Sequence, residues 1–175
     1  MDFKALIERR RSVRGYAGGV PHEDLAAILT RAQQAPSWKN LQTARCYAVE
    51  DAALLERVRA EALPGFNANS SQNACLIVTT YVRDVAGFTA GAPDNEVGNG
   101  WGAYDLGLHD AYLTLAAAEA GYDTLIMGLR DADALRKLLG IPENEAVMSV
   151  IAIGRRAKDP APRPRKPLQE VAKFY

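Results

Sequence analysis

Apolar positions recur along the chain in blocks whose period changes from helical to strand-like and back. Phe3, Leu6, Ile7 and Arg10 fall at helical spacing, and Ser12, Val13 and Gly15 read as the stop of that first helix. A second helix opens at Val20-Pro21-His22-Glu23, carries Leu25, Ile28, Leu29 and Ala32 on one face, and ends at Pro36. Ala44 to Val49 reads as a strand, with imperfect alternation. A helix from about Asp51 to Leu63 directs Leu54, Leu55 and Val58 inward, and Pro64 to Asn73 reads as a polar loop.

Ala74 to Val82 is too β-branched for a comfortable helix and reads as a buried strand. Gly87 to Gly102 is a long glycine-rich loop, a length more often functional or mobile than filler. The longest helix runs from about Ala103 to Ala120. Leu108, Ala111, Leu115 and Ala118 share one face, and Leu106, Leu113, Ala117 and Ala120 another, which predicts a central helix with several partners. Asp131 to Leu139 forms a short helix closed by Gly140 and Pro142. Ala146 to Ile153 is the third clear strand, and Leu168 to Phe174 a last amphipathic piece. No repeat or linker divides the chain, so residues 1–175 read as one domain. The order of elements lacks the regular βαβ alternation of a doubly wound sheet and predicts an α+β fold, helices around a mostly antiparallel sheet.

Charge changes the picture only locally. Lys and Arg total 21 and Asp and Glu total 21, so no general attraction to nucleic acid is expected. The basic residues nevertheless cluster at 9–14 and 155–166, a pattern for local anion binding. No apolar run approaches the roughly 20 residues that span a bilayer, so no membrane partner is expected. The charged N-terminus lacks the apolar segment of a secretory signal, and the expected location is cytoplasmic. Cys46 and Cys75, each in an apolar strand-like stretch, read as buried free thiols, and their distance from His22 and His109 gives no zinc spacing.

Several chemistries fail on the residues. There is no Gly-x-Ser-x-Gly, and His22 falls in the first turn of a helix, so no serine hydrolase is supported. Asp105 and His109 sit at i and i+4, where a simple side-chain pair is the default reading and two ligands make no metal site. Gly98-Asn99-Gly100-Trp101-Gly102 neither follows a strand directly nor continues as a dinucleotide fingerprint, and no Walker lysine occurs. Any phosphate must therefore be held by side chains. Pro164 to Pro167 has Pro-x-x-Pro spacing, readable as a partner ligand or as a stiff arm packed on the body.

The side chains for such a phosphate stand in Arg9-Arg10-Arg11-Ser12-Val13-Arg14, four guanidinium groups and a hydroxyl over six residues. This segment, the stretch Ala35-Pro36-Ser37-Trp38-Lys39-Asn40-Leu41-Gln42 and the basic tail Arg163-Pro164-Arg165-Lys166-Pro167-Leu168 occur in the order and spacing of the FMN-dependent nitroreductase family. The chain resembles its short, single-domain members over essentially its whole length.

The resemblance implies a domain-swapped homodimer with FMN in two interfacial pockets, residues 155–175 forming an arm that crosses to the partner. It places Arg10 at the phosphate or pyrimidine side with Ser12 in the same motif, Arg11 facing either solvent or the phosphate, and Arg14 near the N1/C2-carbonyl edge. Arg163 and Arg165 would meet the phosphate, and Asn67 the pyrimidine. The segment ending Ile126-Met127-Gly128 would offer backbone amides near N5. Pro36, Ser37 and Asn40 would come from the second subunit. Two departures stand out: Ser70 where relatives often have Gln, and Gln42-Thr43-Ala44 where many read Gln-Pro-Trp. Trp38, Phe88 and Trp101, aromatic and in loops, are candidate pocket walls. The implied activity is ping-pong transfer from NADH or NADPH, through flavin N5, to a small planar acceptor of nitroaromatic or quinone type, with no committed acid or base. The alternatives are an FMN carrier or sensor with little turnover, or a specialised flavin enzyme on the same fold.

Overall fold

A computed structural model describes residues 2–175. In chain order its elements are α1 (Phe3–Arg9), β1 (Tyr16–Gly18), α2 (His22–Ala32), a single 3-10 turn (Trp38–Asn40), β2 (Ala44–Val49), α3 (Ala52–Ala62) and α4 (Gly65–Ser70). They continue with β3 (Cys75–Val82), β4 (Phe88–Thr89), β5 (Ala92–Pro93), α5 (Gly100–Glu119), β6 (Asp123–Met127), α6 (Ala132–Leu139), β7 (Glu145–Arg156) and α7 (Leu168–Val171).

The main sheet follows the order β1-β7-β3-β2, with β6 also pairing β7, and every strand pair is antiparallel. The α+β expectation holds. β3 and most of β7 are buried on both faces, which is why their apolar residues run consecutively, as in Cys75–Val78 and Val150–Ile153, rather than alternating. Leu76, Val78, Val150 and Ala152 face a core completed by Val58 and Ala62 of α3 and Leu135 of α6. Ile77, Ile151 and Ile153 face the opposite core, with Leu25 and Ile28 of α2 and Leu113 and Ala117 of α5. Burying each Val, Leu or Ile side chain of these cores contributes about 1.5–3 kcal/mol, and each alanine methyl less.

Three helices are capped as their sequences dictate. The carboxylates of Asp2, Asp51 and Asp131 accept backbone N–H groups from the first turns of α1, α3 and α6. Gly140, at φ 64°, closes α6 in the left-handed conformation.

The structure corrects several boundaries. The polar stretch 64–73 is not all loop, because Pro64 starts the short helix α4. Within 87–102 lie the small β4–β5 hairpin and the first turn of α5, which begins at Gly100 rather than Ala103. That early start depends on Gly102, where an added Cβ would stand 2.4 Å from the Tyr81 ring. Strands β1 and β6 carry no sequence alternation of their own and are recruited by the length of β7. Among the described residues no helix is long and apolar enough to cross a membrane.

Candidate functional site

Helix α1 stops at Arg9, and the next residues run extended beside β6. Ser12 bridges Thr124, and Val13 donates its N–H to the Thr124 carbonyl at 3.0 Å. Val13 is the anchor, 1% exposed, while Ser12 and Arg14 on either side of it are exposed. Period-two alternation thus pins the backbone and presents polar side chains outward. Gly15 donates to Ser70 O at 2.9 Å and accepts from Ala157 N at 3.1 Å, which fixes the far end.

The guanidinium groups of this segment divide by partner. Arg9 donates to the Ala118 carbonyl and ties α1 to α5. Arg10, Arg11, Arg14, Arg163 and Arg165 form no ion pair among the described residues. Burial, then the positive charges of Arg165 and Arg11, lower the Arg10 pKa, so the tail arginine lies within electrostatic reach of the N-terminal ones. Unpaired cations crowded together are stabilised by an anion placed between them.

Arg10 and Ser12 stand on a cavity of about 420 Å³ whose other walls include Leu106, Ile126 and Met148. Ala103, Gly107 and Ala111 of α5 also line it. Their i, i+4, i+8 spacing is the signal that could have found this wall in the sequence, where Ala111 reads instead as part of an apolar packing face. Ile126 and Met148 are 51% and 39% exposed here, large apolar side chains presented to a ligand or a partner.

A second cavity, of about 410 Å³, has Asp105 and His109 of α5 in its wall. It is also lined by Pro36, Ser37, Thr43, Ala44 and Cys46. The segment leading into it holds three left-handed residues outside glycine, Lys39 (φ 48°), Asn40 (φ 57°) and Gln42 (φ 50°). Each costs roughly 1–2 kcal/mol. Two bonds hold the segment in place: Trp38 N–H to Asp105 Oδ2 at 2.8 Å and Gln42 N–H to Ser37 Oγ at 3.0 Å. The expected Asp105–His109 pair is not what the fold uses. Asp105 instead accepts from Trp38, and His109 Nδ1 lies 3.4 Å from Asp110 Oδ1. Burial, then the nearby Asp110, push the Cys46 thiol up to about 12, which keeps it protonated at neutral pH.

The remaining sequence candidates lie outside both cavities. Asn67 is buried, and its Nδ2 donates to the Leu129 carbonyl at 2.8 Å. Met127 is buried, whereas Gly128 and Asn40 are exposed. Trp38 and Trp101 pack on each other with ring centroids 4.6 Å apart, and half-buried Phe88 belongs to the hairpin. In the single chain, therefore, the three aromatic candidates line neither cavity.

This geometry coincides with a family match. The Nitroreductase family model matches residues 7–155. The chain belongs to that family. It is 25% identical to an "NADH dehydrogenase" of Thermus thermophilus over 98% of this chain and 95% of that one. It is 26% identical to a Bacillus subtilis protein provisionally named NAD(P)H nitroreductase MhqN, over 99% and 98% of the two chains. Among solved structures, a protein from Exiguobacterium sibiricum provisionally named a nitroreductase, in complex with FMN, superposes with a TM-score of 0.87 at 20% identity, covering 100% and 98% of the two chains. An NAD(P)H:FMN oxidoreductase from Staphylococcus epidermidis gives 0.85 at 22%, covering 99% and 96%. The nitroreductase fold and membership of an oxidoreductase family are established on these grounds.

Proposed function

We propose that this nitroreductase binds FMN at the cavity carrying Arg10 and Ser12 and passes electrons from NADH or NADPH to a small planar acceptor of nitroaromatic or quinone type. The observation that carries the reading is the guanidinium of Arg10, without an ion pair among the described residues, on a cavity walled by Ile126, Leu106 and Met148, with the charges of Arg165 and Arg11 near enough to act on it. Such residues fit a dianionic phosphate on a flat aromatic body. Flavin, when bound, supplies the hydride chemistry at N5, in two half-reactions that share one face.

The chain's own residues supply position and field. Arg10, Arg11, Ser12 and Arg165 would hold the phosphate by charge-assisted hydrogen bonds, with Arg163 as a further donor. Arg14, exposed and unpaired, would place positive charge at the N1/C2-carbonyl edge, where the reduced ring is anionic. The strand end Ile126-Met127-Gly128 would present backbone donors, and Asn67 would reach the pyrimidine with the oxygen its Leu129 contact leaves free. Pro36, Ser37 and Asn40 would cover the flavin of a second subunit, with Trp38, Phe88 and Trp101 near the acceptor. On this reading the protein would act as a homodimer, with residues 155–175, largely exposed in the single chain, crossing to the partner. The relatives named for NAD(P)H and FMN support the choice of reductant and cofactor.

An absorbance spectrum of the purified protein tests the reading. Flavin bands that bleach on anaerobic addition of NADH or NADPH, and return with a quinone, are expected. Bands that persist with both nucleotides would instead make the protein a carrier or sensor. Colourless protein that takes up no added FMN would overturn the assignment.

A further inference from the structure

Helix α5 forms one wall of the cavity that carries Arg10 and Ser12, and its lining residues stand in order along the helix axis. Arg9 is tied to the Ala118 carbonyl, one turn from Thr114, and Ser12 bridges Thr124, so the arginine end of the cavity lies by these threonines. Asp110 follows Thr114 about 6 Å along the helix, and Leu106 lies about 6 Å farther on. The wall therefore passes from cationic to acidic to apolar.

Asp110 is the member of this wall that the arginines do not explain. It is 8% exposed, and it pairs with no Lys or Arg among the described residues. Its side chain nevertheless keeps 11% of its surface open. A carboxylate can accept about four hydrogen bonds. Here the Thr79 hydroxyl donates one at 3.2 Å, and His109 Nδ1 stands 3.4 Å from the other oxygen. Because Thr79 has spent its single proton on Asp110, the 2.9 Å contact between the Thr79 and Ser149 hydroxyls is donated by Ser149. The cavity wall thus holds a buried carboxylate with unused acceptor capacity, and such a group is costly until donors complete it.

We propose that Asp110 is a specificity-determining residue of the flavin site, accepting the hydroxyls of a polyol chain between a phosphate at Arg10 and a flat body against Leu106 and Ile126. The inference rests on the FMN reading above. In FMN that chain is the ribityl group, whose free hydroxyls lie between phosphate and ring. A hydroxyl donates to a carboxylate and a methylene does not, so Asp110 separates a polyol linker from an alkyl one. The phosphate charge is met at the other end, by Arg10 and the charges of Arg165 and Arg11 that reach it.

FMN and the same flavin carrying pentyl phosphate in place of ribityl phosphate make the test, each titrated into flavin-free protein and read by fluorescence quenching. Asp110→Asn keeps the shape and a neutral acceptor. It should weaken FMN about fivefold while moving the pentyl phosphate flavin less than about twofold. Asp110→Ala should weaken FMN at least about tenfold, again sparing the pentyl compound. Equal weakening of both flavins, or no change in either, would overturn the proposal. If Asp110→Ala does not fold, Asp110→Asn decides the matter. Wild-type protein that binds neither flavin would overturn the FMN reading and this inference with it. FMN binding with an unchanged ratio in Asp110→Asn would overturn this inference alone.

Discussion

Two sets of arginines in this molecule differ in what surrounds them. Arg59, Arg136 and Arg156 are woven into the frame. Arg59 donates to the carbonyls of Ser71 and Ala74 at 3.0 and 2.7 Å, and Arg136 to Glu145 O at 2.9 Å. Arg156 grips both oxygens of buried Asp123, which raises its pKa further above the ordinary guanidinium value. Among the described residues Arg10, Arg14 and Arg165 make no such bonds, Arg11 donates only to the carbonyl of its neighbour Arg10 at 3.0 Å, and burial and then the charges of Arg165 and Arg11 act on Arg10 instead. The same side chain thus serves as a structural clamp where the fold supplies its acceptors and as a ligand claw where the fold withholds them. Two of the buried carboxyls repeat the contrast, since Asp123 is held bidentately and Asp105 by a single N–H.

The comparison breaks most readily at Arg156. Its replacement by Ala strands Asp123, and a loss of about 3 kcal/mol is expected in urea unfolding. An unchanged midpoint would show that the clamp is idle. Arg10→Gln should do the reverse, leaving urea stability unchanged or slightly raised while weakening FMN at least tenfold in a fluorescence titration. Equal losses in both measurements would place Arg10 among the clamps.

Asp105 sharpens the contrast at smaller magnitude. Asp105→Ala should cost about 1 kcal/mol by freeing the Trp38 N–H, whereas Asn keeps an acceptor there. Burial raises the Asp105 pKa above 3.8, so wild-type stability from this group is full below that value and falls as pH rises through the folded pKa. Relative to wild type, Asp105→Asn should therefore gain stability as pH rises above about 4 and level off once the folded carboxyl is ionised, as read in thermal melts, and a pH-independent difference would contradict it. The smallest effect belongs to His22, whose exposed ring is bonded to Glu50 at 2.9 Å, a contact that raises its pKa above 6.5. NMR titration should show that shift vanish in Glu50→Gln, with stability nearly unmoved.

Much of this was legible before the fold was known. The periodicity of Leu25, Ile28 and Ala32, the inward set Leu54, Leu55 and Val58 and the Gly140 stop act within a few helical turns, and α2, α3 and α6 form where they predict. The Arg10–Arg14 cluster was visible as charge density. Its division into clamp and claw was not, because Arg9 finds its acceptor at Ala118, more than a hundred residues away. Met148 and Ser149 sit on the Arg10 cavity through strand register, which no local pattern reports.

Sequence alone determined the local elements, the class of fold and the presence of a cationic segment, since these follow from side-chain spacing and backbone preference over a few residues. Tertiary structure decided which polar groups would be satisfied. It gave acceptors to Arg156 and Arg59, withheld them from Arg10, and closed a cavity around Thr43 and Asp105. The physical reason is that a hydrogen bond or ion pair depends on distances of a few ångströms between residues remote along the chain, and only packing sets those distances.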